Sequence, residues 1–174
     1  MTGIQELYRP WQINGTFLNR MLHCGGRSNS WLQAVLTDFF PADLFDIWKD
    51  KIAFVSTASN DAFRIAIKTR LERELIFVSE HIIPPPGAAL DHPDVRYFIF
   101  VALHELVHVI KQHKPPNEIL EEANKIQEEE ADRFAFEWFN GYVKRMKNPY
   151  LTEFTVQELN EAKARNAEKL QALQ

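Results

Sequence analysis

The sequence predicts a single α+β domain in which short helices precede a small mixed or antiparallel sheet, and the sheet precedes two long helices and a charged C-terminal one. Three observations carry that expectation. Apolar residues recur at helical spacing up to about residue 50 and again after residue 94, residues rich in Ile, Phe and Val cluster between about 51 and 83, and proline-containing breaks divide the blocks. With 174 residues, 45% of them hydrophobic and 25% charged, the chain is long enough for a real core.

The first part, about 1–50, reads as helices over Ile13–Leu22, Ser30–Phe39 and Pro41–Trp48, with a Gly25-Gly26 turn after the first. Pro41 suits a first helical turn, and Trp11, Trp31 and Trp48 read as anchors for these helices. The sheet, about 51–83, takes its strands from Ile52–Val55, from Phe63–Lys68 with alternating apolar residues, and from Glu74–Ile83. Ser59-Asn60-Asp61 reads as a hairpin turn between the first two. The Pro84-Pro85-Pro86-Gly87 tract stops the last strand, and Asp91–Asp94 opens a helix whose run from Val95 to Ile110 is apolar around nearly its whole circumference. After the Pro115-Pro116 break a long helix is expected over Asn117–Lys147. Thr155 with Glu158 then forms a capping-box pattern for a final helix to about Leu170. No internal repeat or low-complexity tract is present.

Composition excludes some classes of function. A net charge of −4 and a pI near 5.9 argue against a nucleic-acid partner, because a phosphate-binding surface needs a basic excess. The single Cys24 allows no internal disulfide and fits a reducing compartment. The N-terminus lacks the basic start and apolar core of a secretory signal, and no apolar stretch approaches the ~20 residues of a bilayer helix, so a cytoplasmic location away from membranes is expected.

The chemistry is concentrated in His104-Glu105-Leu106-Val107-His108. Two histidines four residues apart lie one helical turn apart on one face and can reach the same metal ion, with Glu105 beside it as a candidate base. Three ionisable groups in an apolar helix also need a reason, since burying them unpaired costs several kcal/mol in rough terms. A catalytic zinc takes three protein ligands and keeps one position open. The missing ligand is sought in Glu128-Glu129-Glu130-Ala131-Asp132 on the following helix. On a wheel of about 100° per residue, with an apolar stripe of Leu120, Ala131, Phe134, Ala135, Trp138 and Tyr142, Glu128 and Asp132 share an inward-tilted edge. Glu129 points away, and Glu130 lies on the other flank as a reserve ligand. Glu128 is therefore the expected third ligand, and Asp132 is placed to hold the free ring nitrogen of a ligating histidine.

These residues resemble the gluzincin metallopeptidases, the thermolysin-like group. There, a Glu twenty residues after the second His is the third ligand and an Asp four residues further on supports the site, which matches Glu128 and Asp132. The segment EEEADRFAFEWF is similar to one in small soluble metallopeptidases of the ImmA/IrrE type. The resemblance covers roughly Arg73 to Phe139. It implies a zincin-like domain, one Zn2+ per chain held by His104, His108 and Glu128, and hydrolysis of a protein or peptide substrate with Glu105 moving the proton. It also implies a substrate strand along a sheet edge, for which Glu74–Ile83 is the expected neighbour.

Tyr97, His113, Tyr142 and Arg145 are candidates by chemistry for stabilising an oxyanion. His81 and His92, like His113, otherwise read as ordinary surface or turn residues, Cys24 as a small buried hydrophobe rather than a metal cap, and the C-terminal helix as a packing helix rather than a lid. The alternative function is a zincin-like interaction module of weak or no catalysis. An intact Glu105 favours the enzyme, because a purely structural site has no use for a base.

Overall fold

The computed structural model describes residues 22–24, 26–57, 63–65, 74–85 and 87–172. Its first element, the short strand β1 (Leu22–His23), lies where a helix was expected to end: Leu22 pairs with Phe54 and is 8% exposed. The rest of the expected Ile13–Leu22 helix, with Trp11, lies outside the described residues. Helix α1 (Gly26–Ala34) follows and widens into a π turn over Val35–Phe39, and α2 (Ala42–Trp48) begins directly after Pro41. Trp31 and Trp48 are partly buried against the core, as anchors would be.

Among the described residues, strands β2 (Ile52–Thr57), β3 (Phe63–Ile65) and β4 (Glu74–Ser79) join β1 in a four-stranded sheet in the order β1-β2-β4-β3. β2 and β4 run parallel, from Ile52 opposite Glu74 to Thr57 opposite Ser79, as do β1 and β2; only β3 is antiparallel, to β4. The antiparallel alternative is thus corrected to a mostly parallel sheet. The hairpin expected at Ser59-Asn60-Asp61 is corrected too, because the strands on either side of it do not pair with each other; the turn residues themselves lie outside the described residues. A turn signal is local, whereas β4 inserts between β2 and β3 for a non-local reason. β2 has three consecutive buried residues, Ile52, Ala53 and Phe54, and a strand covered on both faces belongs inside a sheet, beside the equally apolar β4.

The strand expected over Glu74–Ile83 stops at Ser79, where the Ser79 hydroxyl accepts from the His81 amide and a 3-10 turn takes Glu80–Ile82. Residues 66–68 of the expected Phe63–Lys68 strand lie outside the described residues.

Helix α3 (Pro93–Ile110) starts at His92, whose Nδ1 accepts from the Asp94 amide, 3.1 Å. It is buried on most sides, as its sequence demands: Val95, Phe98, Ile99, Leu103, Leu106 and Val107 have no exposed surface. α3 lies against the sheet and packs most extensively on α4 (Glu121–Met146). α4 begins four residues later than expected, because Pro116–Glu118 forms a separate 3-10 turn and Ile119 and Leu120 are extended. Leu120, placed on the apolar stripe from sequence, is 80% exposed. The buried stripe of α4 runs instead through Ala131, Ala135, Phe139, Tyr142 and Val143. Continued toward the N-terminus at helical spacing, that line passes through Asp132 and Glu128, so these carboxylates face α3 more directly than the wheel suggested.

Helix α5 (Val156–Gln171) begins at Thr155, whose hydroxyl accepts from the Glu158 amide, 3.2 Å. The reciprocal half of the capping box is not made, because another group takes the Glu158 carboxylate. Arg96, 3% exposed on α3, donates from Nε and Nη2 to the two Glu158 oxygens at 2.8 and 3.1 Å, and from Nη1 to the Thr152 carbonyl at 3.0 Å. Its guanidinium also lies over Phe139 and Phe154, so one cation ties α3, α4 and α5 together. Among the described residues no helix is long and apolar enough to cross a membrane.

Candidate metal centre

His104 and His108 project from the same face of α3, in its last two turns, toward α4. Their Nε2 atoms lie 2.9 Å apart, and Glu128 reaches across from α4 with its oxygens 3.2 Å from His104 Nε2 and 3.5 Å from His108 Nε2. The three residues form a group that could hold a metal ion. A tetrahedral ion with bonds of about 2.0–2.1 Å holds its ligand atoms about 3.3 Å apart. The observed separations of 2.9, 3.2 and 3.5 Å bracket that spacing without rearrangement of either helix.

Each histidine is held by its other nitrogen. His104 Nδ1 donates to Asp132 Oδ1 at 2.8 Å, the contact foreseen for Asp132, and this fixes the ring with Nε2 turned toward His108 and Glu128. Burial pushes the His104 pKa down, but the hydrogen bonds with Asp132 and Glu128 outweigh burial and lift it to about 9. The Glu128 carboxyl is held below its ordinary value chiefly by the hydrogen bond from His104, against the opposing effect of burial; the charges of His104, His108 and Lys163 add to the lowering.

His113 and Glu130 behave differently from their sequence readings. His113 is 7% exposed, with Nδ1 2.8 Å from His108 Nδ1 and Nε2 3.1 Å from Glu130 Oε2. Glu130 therefore joins His113 and Lys111 rather than Glu128, which corrects its standing as a reserve ligand. Local sequence gave little warning, because the fold of the chain just after α3 sets these contacts. Glu129 points to solvent with a 67% exposed side chain, as expected.

Beside the three donors lies a cleft of about 280 Å³ lined by Tyr97, Phe100, Val101, Glu105, Leu159 and Lys163 together with His104, Glu128 and Asp132. Glu105 itself is only 9% exposed, so its carboxylate meets the cleft from the protein side. Of the four oxyanion candidates only Tyr97 lines this cleft. Tyr142 packs its ring 4.1 Å from that of Phe39, Arg145 donates to the Asp38 carbonyl, and His113 is engaged as described. Lys163 and Leu159 come from α5, a contribution that spacing within the motif region could not reveal. β4, expected near a substrate-bearing edge, is an interior strand, and among the described residues the edges are β1 and β3.

Cys24 is partly buried, and burial first, then the charge of Glu80, pushes its thiol up to about 11. That suits an inert packing residue and not a metal cap. Its reaction with a thiol reagent at pH 8 is expected to be roughly 100-fold slower in the native protein than after unfolding. Equal rates would contradict this placement.

No family model, curated protein or solved structure matches the chain.

Proposed function

We propose that this protein is a zinc-dependent peptidase of zincin-like architecture. The observation that carries the reading is the meeting of His104, His108 and Glu128 donor atoms beside a cleft that also holds the buried carboxylate of Glu105. Two imidazoles and one carboxylate, with a cleft on the open side, suit zinc better than the harder oxygen-seeking ions.

When bound there, zinc supplies a Lewis acid that polarises a carbonyl and brings the pKa of a water toward neutrality. The residues do the rest. Asp132 fixes the His104 ring so that Nε2 faces the donor group. Glu105 accepts a proton from the attacking water as its oxygen bonds to the scissile carbonyl carbon, then returns that proton to the departing amine nitrogen as the C–N bond breaks. Tyr97 is the side chain in the cleft suited to donate to the oxyanion. Phe100, Val101 and Leu159 give the cleft an apolar wall for a substrate side chain. An extended peptide would lie along an edge strand, and β3, which is antiparallel to β4, is the edge on the β4 side.

The test is hydrolysis of fluorescently labelled casein and of a mixed-sequence quenched peptide library by the purified protein. Cleavage is expected to stop on chelation and to return when zinc is restored. Activity that survives complete removal of metal would sink the reading. Stoichiometric zinc without any cleavage would favour the interaction module instead.

A further inference from the structure

We propose that His113 and Glu130 are positioning residues for the metal centre, forming a directed hydrogen-bond relay that fixes His108 as Asp132 fixes His104. The inference rests on the zinc reading of His104, His108 and Glu128.

The local backbone explains how His113 arrives there. α3 ends in a Schellman motif. Gln112 adopts a left-handed conformation with φ 54°, its amide bonds to the Val109 carbonyl at 3.1 Å, and the His113 amide bonds to the His108 carbonyl at 2.9 Å. This motif brings the residue after the left-handed one back against the residue three before the helix cap, which here means His113 against His108. The contact is usually apolar. Here it is a hydrogen bond between two imidazoles, and Gln112 accepts a backbone conformation that favours glycine in order to make it.

Proton placement follows from the chemistry of neutral imidazole, which has one donor and one acceptor nitrogen. If His108 presents the Nε2 lone pair to a metal, its proton sits on Nδ1 and is donated to His113 Nδ1, 2.8 Å away. The His113 proton must then lie on Nε2, where it is donated to Glu130 Oε2, 3.1 Å away. Glu130 is in turn held by Lys111 at 3.4 Å and Arg133 at 3.6 Å. Every link has one donor and one acceptor, and the chain ends on a carboxylate with cationic partners. A relay with the opposite proton order would put the proton on His108 Nε2 and block the metal.

The test compares zinc affinity, by competition with a chromophoric chelator, and the ligand-field spectrum of the cobalt-loaded protein, in wild type, His113→Phe, His113→Gln and Glu130→Ala. Removing a partner of this kind typically costs about 10–100-fold in metal affinity. His113→Phe is expected to weaken zinc binding by about that factor and to alter the cobalt spectrum. His113→Gln, which keeps an acceptor for His108, should recover most of the loss. Glu130→Ala, at a side chain one-third exposed and so safe for folding, should weaken binding in the same direction and decides the matter if His113→Phe does not fold. Unchanged affinity and spectrum in Glu130→Ala and in folded His113→Phe would overturn the relay while leaving the zinc site intact. A wild-type protein that takes up no zinc would instead overturn the metal reading, and the relay with it.

Discussion

Glu105→Gln is expected to reduce peptide hydrolysis by about 10²–10⁴-fold while leaving zinc content and thermal stability close to wild type. The substitution keeps size and shape at a site only 9% exposed, so packing is preserved. It removes the one property the mechanism requires, a carboxylate able to take a proton from water and release it to an amine. Glu105 is outside the three-donor group, so metal uptake should be unaffected. The informative readouts are the turnover number and the metal content measured on the same preparation. A fall in activity matched by a fall in zinc would mean that Glu105 acts through the metal's retention, and full activity would exclude it as the base.

The largest effect on stability is expected at the buried clamp between α3 and α5. Arg96 is 3% exposed and directs three nitrogens to Glu158 and the Thr152 carbonyl. Glu158→Ala leaves a guanidinium buried without its counter-charge, a change that costs about 3–5 kcal/mol when both partners are fully buried. Glu158 is itself 34% exposed, so water can reach the vacated position and about 3 kcal/mol is expected, a fall in Tm of about 6–12 °C for a chain of this size. An Arg96→Met, Glu158→Leu pair should recover much of that loss, because apolar residues of similar volume need no counter-charge. A Tm for Glu158→Ala within about 2 °C of wild type would show that the clamp contributes little. The clamp also bears on the site, because α5 delivers Leu159 and Lys163 to the cleft.

Much of the candidate centre was legible because its spacing is short or helical. His104, Glu105 and His108 fall within one and a half turns of a helix whose apolar character is unmistakable. Glu128 and Asp132 can be placed because helical periodicity carries orientation along α4, although the stripe expected from sequence is imperfect: it includes Leu120, which is exposed, and omits Phe139 and Val143, which are buried. Glu128 and Asp132 came out on the correct side because their neighbours Ala131 and Ala135 anchor the buried line.

What escaped the sequence depends on backbone turns and on distant partners. His113 reaches His108 through a left-handed residue that is glutamine, so the glycine that normally marks such a helix end is absent. Glu158 reads as half of a capping box, and only the tertiary position of Arg96 redirects it. The sheet order failed for the same reason. A polar turn signal suggests that sequential strands pair, but nothing local to residues 52–65 announces that β4 will lie between them.

The metal centre is tested most directly by zinc content, measured by plasma mass spectrometry on wild type and Glu128→Ala, both purified without a metal-affinity tag and dialysed against the same trace zinc. About one zinc per wild-type chain is expected, and little or none in the variant, since two imidazoles alone make a weak site. Absence of zinc from wild type even after it is supplied, or equal zinc in both proteins, would contradict the assignment of His104, His108 and Glu128 as a metal centre.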